Sequence, residues 1–179
     1  MRCRSAPSIR PGIASDTWRC HHRSVATIRE AVDINAPPER VWAVVAQDVK
    51  NSPRWTSNLE IVEKLDGRPP GKGTRYRYHL DIGGQKVVLD VEQDVWDQPK
   101  RCAGRFVKGP LGGTWSYTYT RRKEGSTRLV YEMDYQLAGL LRFATGVLGP
   151  QYAAGIRKNM ESLKKYIESG KGPRPAVKK

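Results

Sequence analysis

The residues that could act as nucleophiles, general acids or general bases are few and scattered along the sequence. His79 is the only histidine after position 24. Strand alternation places it on the same side as Arg75 and Arg77, which is the predicted outward face. No serine, cysteine or carboxylate is placed near a second histidine, so a nucleophilic triad has no support. We name no catalytic residue, and the sequence leaves enzymatic activity open.

The cysteines predict neither a disulfide framework nor a metal site. The sequence has three of them, Cys3, Cys20 and Cys102, and their spacing follows no known pattern. The run Cys20-His21-His22 lies in an Arg-rich segment, where neighbouring side chains rarely converge on one ion. We expect no metal and no cofactor. If Cys102 faces inward, we expect it to serve as a small apolar residue rather than as a nucleophile.

Aromatic side chains that carry a polar atom are concentrated at positions predicted to face inward. The sequence has eight tyrosines and only two phenylalanines. A buried phenol needs a hydrogen-bond partner, so this composition favours a cavity that holds water or a partly polar ligand. The alternative is that the rings simply pack and direct their hydroxyls past the sheet edge. The candidate ligand-binding residues are Trp55, Tyr76, Tyr78, Leu89, Phe106, Trp115, Tyr117, Tyr131, Met133, Tyr152, Ile156 and Met160.

Several of these candidate residues lie in a predicted β-hairpin. Gly83-Gly84 separates two alternating runs and is a strong signal for a two-residue turn. The register that this turn implies places Tyr76 opposite Val91 on one face and Arg77 opposite Asp90 on the other. Apolar side chains then share the first face and opposite charges pair on the second. A slip of one residue would disrupt both faces at once.

A second hairpin is predicted from residues 114–122 and 127–137, which both alternate between apolar and polar side chains. A three-residue loop, Glu124-Gly125-Ser126, keeps the inward faces of the two strands in phase. This loop length predicts that Tyr117 lies opposite Met133.

The remaining pattern predicts an α+β domain. From Gly139 the hydrophobic period lengthens to about 3.6, which predicts a helix that kinks or restarts at Gly149-Pro150 and ends at Gly170. Its main part, residues 150–169, is amphipathic. A curved antiparallel sheet of about seven strands should wrap this long helix, because no other helix could cover the sheet. The other predicted elements are strands at 26–34, 59–65 and 101–108, a short helix ending near Gln47, and a helical turn over 48–55.

Several motifs resemble those of one superfamily. The run from Val32 to Trp42, VDINAPPERVW, resembles the opening of the polyketide cyclase/dehydrase, START-like (SRPBCC) superfamily, whose helix-grip fold is shared with the birch pollen allergen. The resemblance extends over about residues 26–169. It implies an interior cavity that binds sterols, lipids, polyketides, quinones or plant hormones, depending on the member. Further matching motifs are Pro53-Arg54-Trp55, Gly71-Lys72-Gly73-Thr74-Arg75, Gly112-Gly113-Thr114-Trp115-Ser116-Tyr117, Gly125-Ser126-Thr127-Arg128-Leu129 and Met160-Glu161-Ser162-Leu163-Lys164.

The charge distribution predicts two basic tails around one ligand-binding domain. The formal net charge is +14, and more than half of it lies in residues 1–24 and 170–179. We predict disordered tails there and a domain over residues 25–169. Residues 1–24 lack the apolar middle section of a secretory signal. A transit peptide, a mis-assigned start and a plain tail remain open for this segment.

Three functions are compatible with these observations. The first is binding or carriage of a hydrophobic small molecule in an internal cavity. The second is a polyketide aromatase/cyclase or dehydratase that acts in the same cavity. The third, which we rank last, is a ribosome- or RNA-associated regulator that uses the basic tails. No apolar run approaches the roughly 20 residues of a membrane span, which predicts a soluble protein. Because the cysteines follow no disulfide pattern, we expect the cytoplasm as its compartment. The oligomeric state is unknown.

Overall fold

The computed structural model describes residues 26–82, 84–137 and 145–173. The predicted N-terminal tail, with Cys3, Cys20 and the two adjacent histidines, lies outside the described residues. The strands are β1 Ala26–Ile34, β2 Leu59–Lys64, β3 Arg75–Ile82, β4 Gln85–Asp97, β5 Arg101–Lys108, β6 Leu111–Arg121 and β7 Thr127–Leu137. The helices are α1 Pro38–Trp42, a π-helical turn Ala43–Gln47, 3₁₀ segments Val49–Arg54 and Lys123–Gly125, and α2 Thr145–Glu168.

The sheet has seven strands, as predicted, in the order β1-β7-β6-β5-β4-β3-β2. Every neighbouring pair is antiparallel. The curved sheet wraps α2, whose side chains Met160, Leu163 and Ile167 are buried in the shared core. Their spacing of three and four residues puts them on one helix face, which is why one amphipathic helix covers the inner surface of the sheet. The predicted α+β architecture is therefore confirmed.

The register of the first hairpin is the one that the sequence predicts. Tyr76 lies opposite Val91, and Arg77 lies opposite Asp90. The guanidinium of Arg77 donates two hydrogen bonds to the Asp90 carboxylate, at 2.7 and 2.9 Å. Apolar and charged faces are thus both satisfied by one strand pairing.

The predicted register of the second hairpin is wrong by two residues. Tyr117 pairs with Tyr131, not with Met133. The loop has five residues, 122–126, because Glu124 adopts a left-handed conformation with φ 64° and the amide of Arg122 donates to the carbonyl of Ser126. A shift of two keeps every side chain on its predicted face, so alternation alone could not detect it.

The start of β6 also differs from the sequence prediction. We predicted this strand from residue 114, but it begins at Leu111 and includes Gly112 and Gly113. Gly113 has φ 123°, and a Cβ there would lie 2.0 Å from the carbonyl oxygen of Asp134. This close approach of two backbones, rather than a turn, requires the glycine. Helix α2 begins at Thr145 and continues through Pro150, while residues 138–144 are outside the described part.

The C-terminal end of α2 contacts the start of the domain. Gly170 has φ 78°, and its amide donates to the carbonyl of Ile167, as expected where a glycine ends a helix. Arg40 donates to the carbonyls of Lys171 and Gly172. Contacts with the domain therefore continue past Ser169, into the first residues of the expected tail. None of the described helices is long and apolar enough to cross a membrane.

Candidate functional site

A cavity of about 150 Å³ lies between the inner face of the sheet and α2. Residues from the segment before β2, from strands β2 to β7 and from α2 form its wall. Ten of the twelve residues that we predicted as ligand-binding line it. They are Trp55, Tyr78, Leu89, Phe106, Trp115, Tyr117, Tyr131, Tyr152, Ile156 and Met160.

Tyr76 and Met133 face inward but do not line the cavity. Tyr76 packs with Val49, Val62 and Val91 in a separate cluster under the 3₁₀ segment. Met133 is 1% exposed, and its sulfur contacts the hydroxyl of Tyr131 at 3.3 Å. Strand alternation gives the face of a side chain but not its position along the strand, which is why these two inward residues lie beside the cavity rather than in its wall.

The polar part of the wall was missed by the sequence reasoning. Gln93, Asn159 and Ser52 line the cavity and are buried. A signal for Gln93 was present, because strand alternation from Leu89 puts it on the inward face of β4. Asn159 could also have been predicted from the sequence. It lies three residues after Ile156 and seven after Tyr152, which puts it on the same face of α2.

Gln93 and Trp115 carry buried polar atoms without a hydrogen-bond partner among the described residues. These atoms are Oε1 of Gln93 and Nε1 of Trp115. Both residues are paired with Gly104 on the intervening strand. A Cβ at Gly104 would lie 2.1 Å from the carbonyl oxygen of Glu92 and 2.9 Å from Cζ2 of Trp115. The glycine therefore lets the indole of Trp115 lie over β5.

The tyrosines of the wall are neutral over the whole physiological range. Burial raises the pKa of Tyr78, Tyr117 and Tyr131 above the ordinary value, and it raises the pKa of Tyr152 to about 12. The ionised form of each phenol would lose its hydration, which is the cause of the shift. The hydroxyls of Tyr78 and Tyr117 have no hydrogen-bond partner within the described ranges. They are available as neutral donors.

Cys102 also lines the cavity, at 1% exposure. Burial raises the pKa of its thiol to about 11. The sulfur lies 3.4 Å from the hydroxyl of Tyr119. A thiol in this state is a poor nucleophile at neutral pH, because the thiolate is the reactive form. The inward, apolar role that we predicted for Cys102 agrees with its position.

The described wall contains no Asp, Glu, Lys, Arg or His. Charged side chains instead pair on the outer face of the sheet, for example Arg75 with Glu92 at 2.6 Å. His79, which we predicted to face outward, lies 3.4 Å from the Glu63 carboxylate. Within residues 26–82, 84–137 and 145–173, no three His, Cys, Asp or Glu side chains come together as around a metal ion. The described wall of the cavity is therefore mainly apolar, with a few uncharged polar groups.

Asn159 connects α2 to the segment that precedes β2. Its Oδ1 accepts hydrogen bonds from the backbone amide of Ser57 at 3.1 Å and from the Ser57 hydroxyl at 3.2 Å. Its Nδ2 donates to Oδ1 of Asn58 at 3.3 Å. Asn58 and Asn159 both belong to the cavity wall. These bonds hold two parts of the wall in a defined position relative to each other.

A curved antiparallel sheet that wraps a C-terminal helix, with a cavity between them, defines a protein of the helix-grip, START-like class. The family described as polyketide cyclase/dehydrase and lipid transport matches residues 25–168. The chain belongs to this family, as the sequence motifs predicted.

Similar proteins and solved structures match most of the length of this chain. The uncharacterized protein Rv2574 of Mycobacterium tuberculosis is 28% identical over 144 residues, which span 79% of this chain and 84% of that protein. The crystal structure of TTHA0849 from Thermus thermophilus has a TM-score of 0.64 and 26% identity, covering 80% of this chain and 95% of that one. The Zhui aromatase/cyclase of a Streptomyces species has a TM-score of 0.62 and 21% identity, covering 82% and 93%. At that identity, the last match concerns the fold alone.

Proposed function

We propose that this protein binds or carries a hydrophobic, partly polar small molecule in the cavity between the sheet and α2. The observation that carries the proposal is the wall itself: aliphatic and aromatic side chains surround a few buried polar groups. Such a mixture is typical of small-molecule sites, where apolar surface supplies affinity and a few polar atoms set orientation. Membership in a family described by lipid transport as well as by cyclase activity supports the same function.

The cavity volume sets the size of the part of the ligand that is enclosed. An apolar cavity of about 150 Å³ holds one benzene molecule, and the cavity here has about that volume. A longer lipid or polyketide would need the wall to move outward, or would leave part of its length outside. Met160, which lines the cavity, is flexible enough to allow some adjustment.

Native mass spectrometry of the full chain purified from its own host tests this proposal. We expect a bound apolar molecule that is released by organic extraction. Ile156→Trp supplies the control, because a larger side chain at this position on α2 would fill the cavity from one side while the sheet stays unchanged. Loss of the bound molecule in this variant supports binding in the cavity. Equal loading of the variant and the wild type, or no loading of either, would contradict it.

A second candidate function is a polyketide aromatase/cyclase or dehydratase reaction in the same cavity. It is favoured by the hydroxyls of Tyr78 and Tyr117, which lack a partner among the described residues and remain protonated. Neutral donors of this kind can stabilise the developing charge on a ketone oxygen. The test is cyclisation of a poly-β-ketone chain by Tyr117→Phe, Tyr131→Phe and Trp115→Ala. If these variants give the same product ratios as the wild type, the side chains of the cavity wall take no part in the reaction.

A further inference from the structure

Aromatic side chains are the most numerous class in the described part of the cavity wall. Seven of the described aromatic side chains line the cavity, and they come from both of its sides. Tyr152 lies on α2, whereas Tyr78 and Trp115 lie on β3 and β6 of the sheet. A ring-sized molecule that fills the cavity is therefore next to aromatic rings on the helix side and on the sheet side.

Three rings on the sheet side contact one another at defined angles. Trp115 and Tyr117 are neighbours on the inner face of β6, with ring centroids 6.2 Å apart and ring planes at 64°. Tyr117 lies opposite Tyr131 on β7, with centroids 4.8 Å apart and planes at 47°. Aromatic pairs prefer such inclined or offset arrangements to a face-to-face stack. The ring of a ligand can join this cluster through contacts of the same kind.

The helix side of the cavity also contributes a thioether. Met160 on α2 lines the cavity and is 3% exposed. A methionine sulfur makes favourable contacts with an aromatic ring, often at the edge of the ring. A saturated ring gains no such contact. The flexible side chain of methionine also lets the sulfur adjust its position to the ring that is bound.

Resting on the function proposed above, we infer that the cavity takes an aromatic ring in preference to a saturated ring or an acyl chain of similar size. A saturated ring buries at least as much apolar surface, so the hydrophobic effect alone gives the aromatic ring no advantage. The advantage comes from contacts with the rings of the wall and with the Met160 sulfur, which add to the effect of burial. This preference distinguishes the cavity from a general site for acyl chains or sterols.

Titration of the full chain with benzene and with cyclohexane tests the inference, with the Met160 methyl signal in NMR spectra as the report of binding. Both probes are uncharged rings of the same number of carbons without a polar group, and they differ in aromatic character. We expect benzene to bind roughly 5-fold more tightly or more, from at least two contacts between rings that cyclohexane lacks. Equal affinity, or tighter binding of cyclohexane, would overturn the inference and leave the binding cavity in place.

Variants then locate the preference. Tyr117→Leu and Trp115→Leu each remove one ring of the wall and should reduce the ratio of benzene to cyclohexane affinity by roughly 2-fold or more. Tyr117→Phe is the matched control, because it keeps the ring and removes only the hydroxyl, so the ratio should stay at the wild-type value. Ile156→Ala controls for the size of the cavity, since it widens the wall without removing a ring. It should change both affinities in parallel.

The possible results separate this inference from the function on which it rests. A preference for benzene that persists unchanged in Tyr117→Leu and in Trp115→Leu would overturn the inference. An equal loss of the preference in Ile156→Ala would overturn it as well, because the shape of the cavity would then explain the preference. Binding of neither probe to the wild type would contradict both the inference and the proposed function.

Discussion

Asn159 on α2 accepts two hydrogen bonds from a single residue, Ser57, one from its backbone amide and one from its hydroxyl. This contact spans 102 positions in sequence. It joins the long helix to the segment before β2. Asn159 lines the cavity, and Ser57 lies between the lining residues Thr56 and Asn58. The loss of stability on removing this contact therefore measures how much it contributes to holding α2 in place.

Replacing Asn159 by Ala should lower the free energy of unfolding by about 1–3 kcal/mol, because it leaves the Ser57 amide without its acceptor. Ser57→Ala removes only the weaker of the two bonds and should cost about 1 kcal/mol or less. Urea denaturation followed by circular dichroism measures both, with the slope of the transition unchanged. A larger effect of Ser57→Ala than of Asn159→Ala would be inconsistent with this geometry.

Gly113 and Gly112 provide a matched pair for the backbone of β6. Gly113→Ala should destabilise the protein by about 3 kcal/mol or more, since it combines a positive φ with a close approach to the Asp134 carbonyl. Gly112→Ala meets nothing within 4 Å and should be neutral or stabilise by about 0.5 kcal/mol. Thermal unfolding of the two variants checks the contrast. Similar melting temperatures for both would mean that β6 and β7 are not this close.

The buried tyrosines predict a loss of stability at high pH. Their pKa values in the folded state lie above the ordinary value of about 10, with Tyr152 at about 12. The folded state therefore holds protons that the unfolded state releases, so the stabilisation is complete below about pH 10 and is lost as pH rises through the folded values. Denaturation midpoints at pH 8, 10 and 11 measure this decline. Tyr117→Phe should make it shallower, whereas a constant midpoint from pH 8 to 11 would refute the assignment.

The Arg77–Asp90 pair predicts the opposite dependence at low pH. The Arg77 hydrogen bonds hold the pKa of Asp90 below its ordinary value. The contribution of this carboxylate is thus present above the unfolded pKa, near 4, and is lost as pH falls through the folded value. Asp90→Asn should lower stability at pH 7 and flatten the acid side of the stability curve. A variant whose curve runs parallel to that of the wild type down to pH 2 would show that Asp90 is not preferentially ionised in the folded state.

Comparison of sequence and structure shows what alternation can and cannot predict. The Gly83-Gly84 turn and the cross-strand charges left only one register for Tyr76 and Val91, and that register is confirmed. The second hairpin lacked such a constraint, because a five-residue loop preserves the same faces as a three-residue loop. The observed loop has two consecutive residues with positive φ, Glu124 at 64° and Gly125 at 76°. Apolar/polar alternation does not encode a left-handed conformation at Glu124.

The candidate site was predictable to a similar degree. Large inward side chains such as Tyr117 and Ile156 were found because they follow the strand and helix periods. Gln93 was missed because an inward glutamine was not weighed as a polar point of the wall. The close contact between Gly104 and the Trp115 indole joins two strands, and no local sequence pattern reveals it.

The most direct measurement of the central claim is the NMR spectrum of methyl-labelled protein titrated with benzene. Ile156 and Met160 line the cavity, whereas Ile61 and Val107 are exposed at 54% and 40%. Uptake into the cavity predicts saturable shifts of the Ile156 and Met160 methyl signals, with the Ile61 and Val107 signals unchanged. Shifts confined to Ile61 and Val107, or no shift of any methyl at saturating benzene, would contradict an accessible apolar cavity.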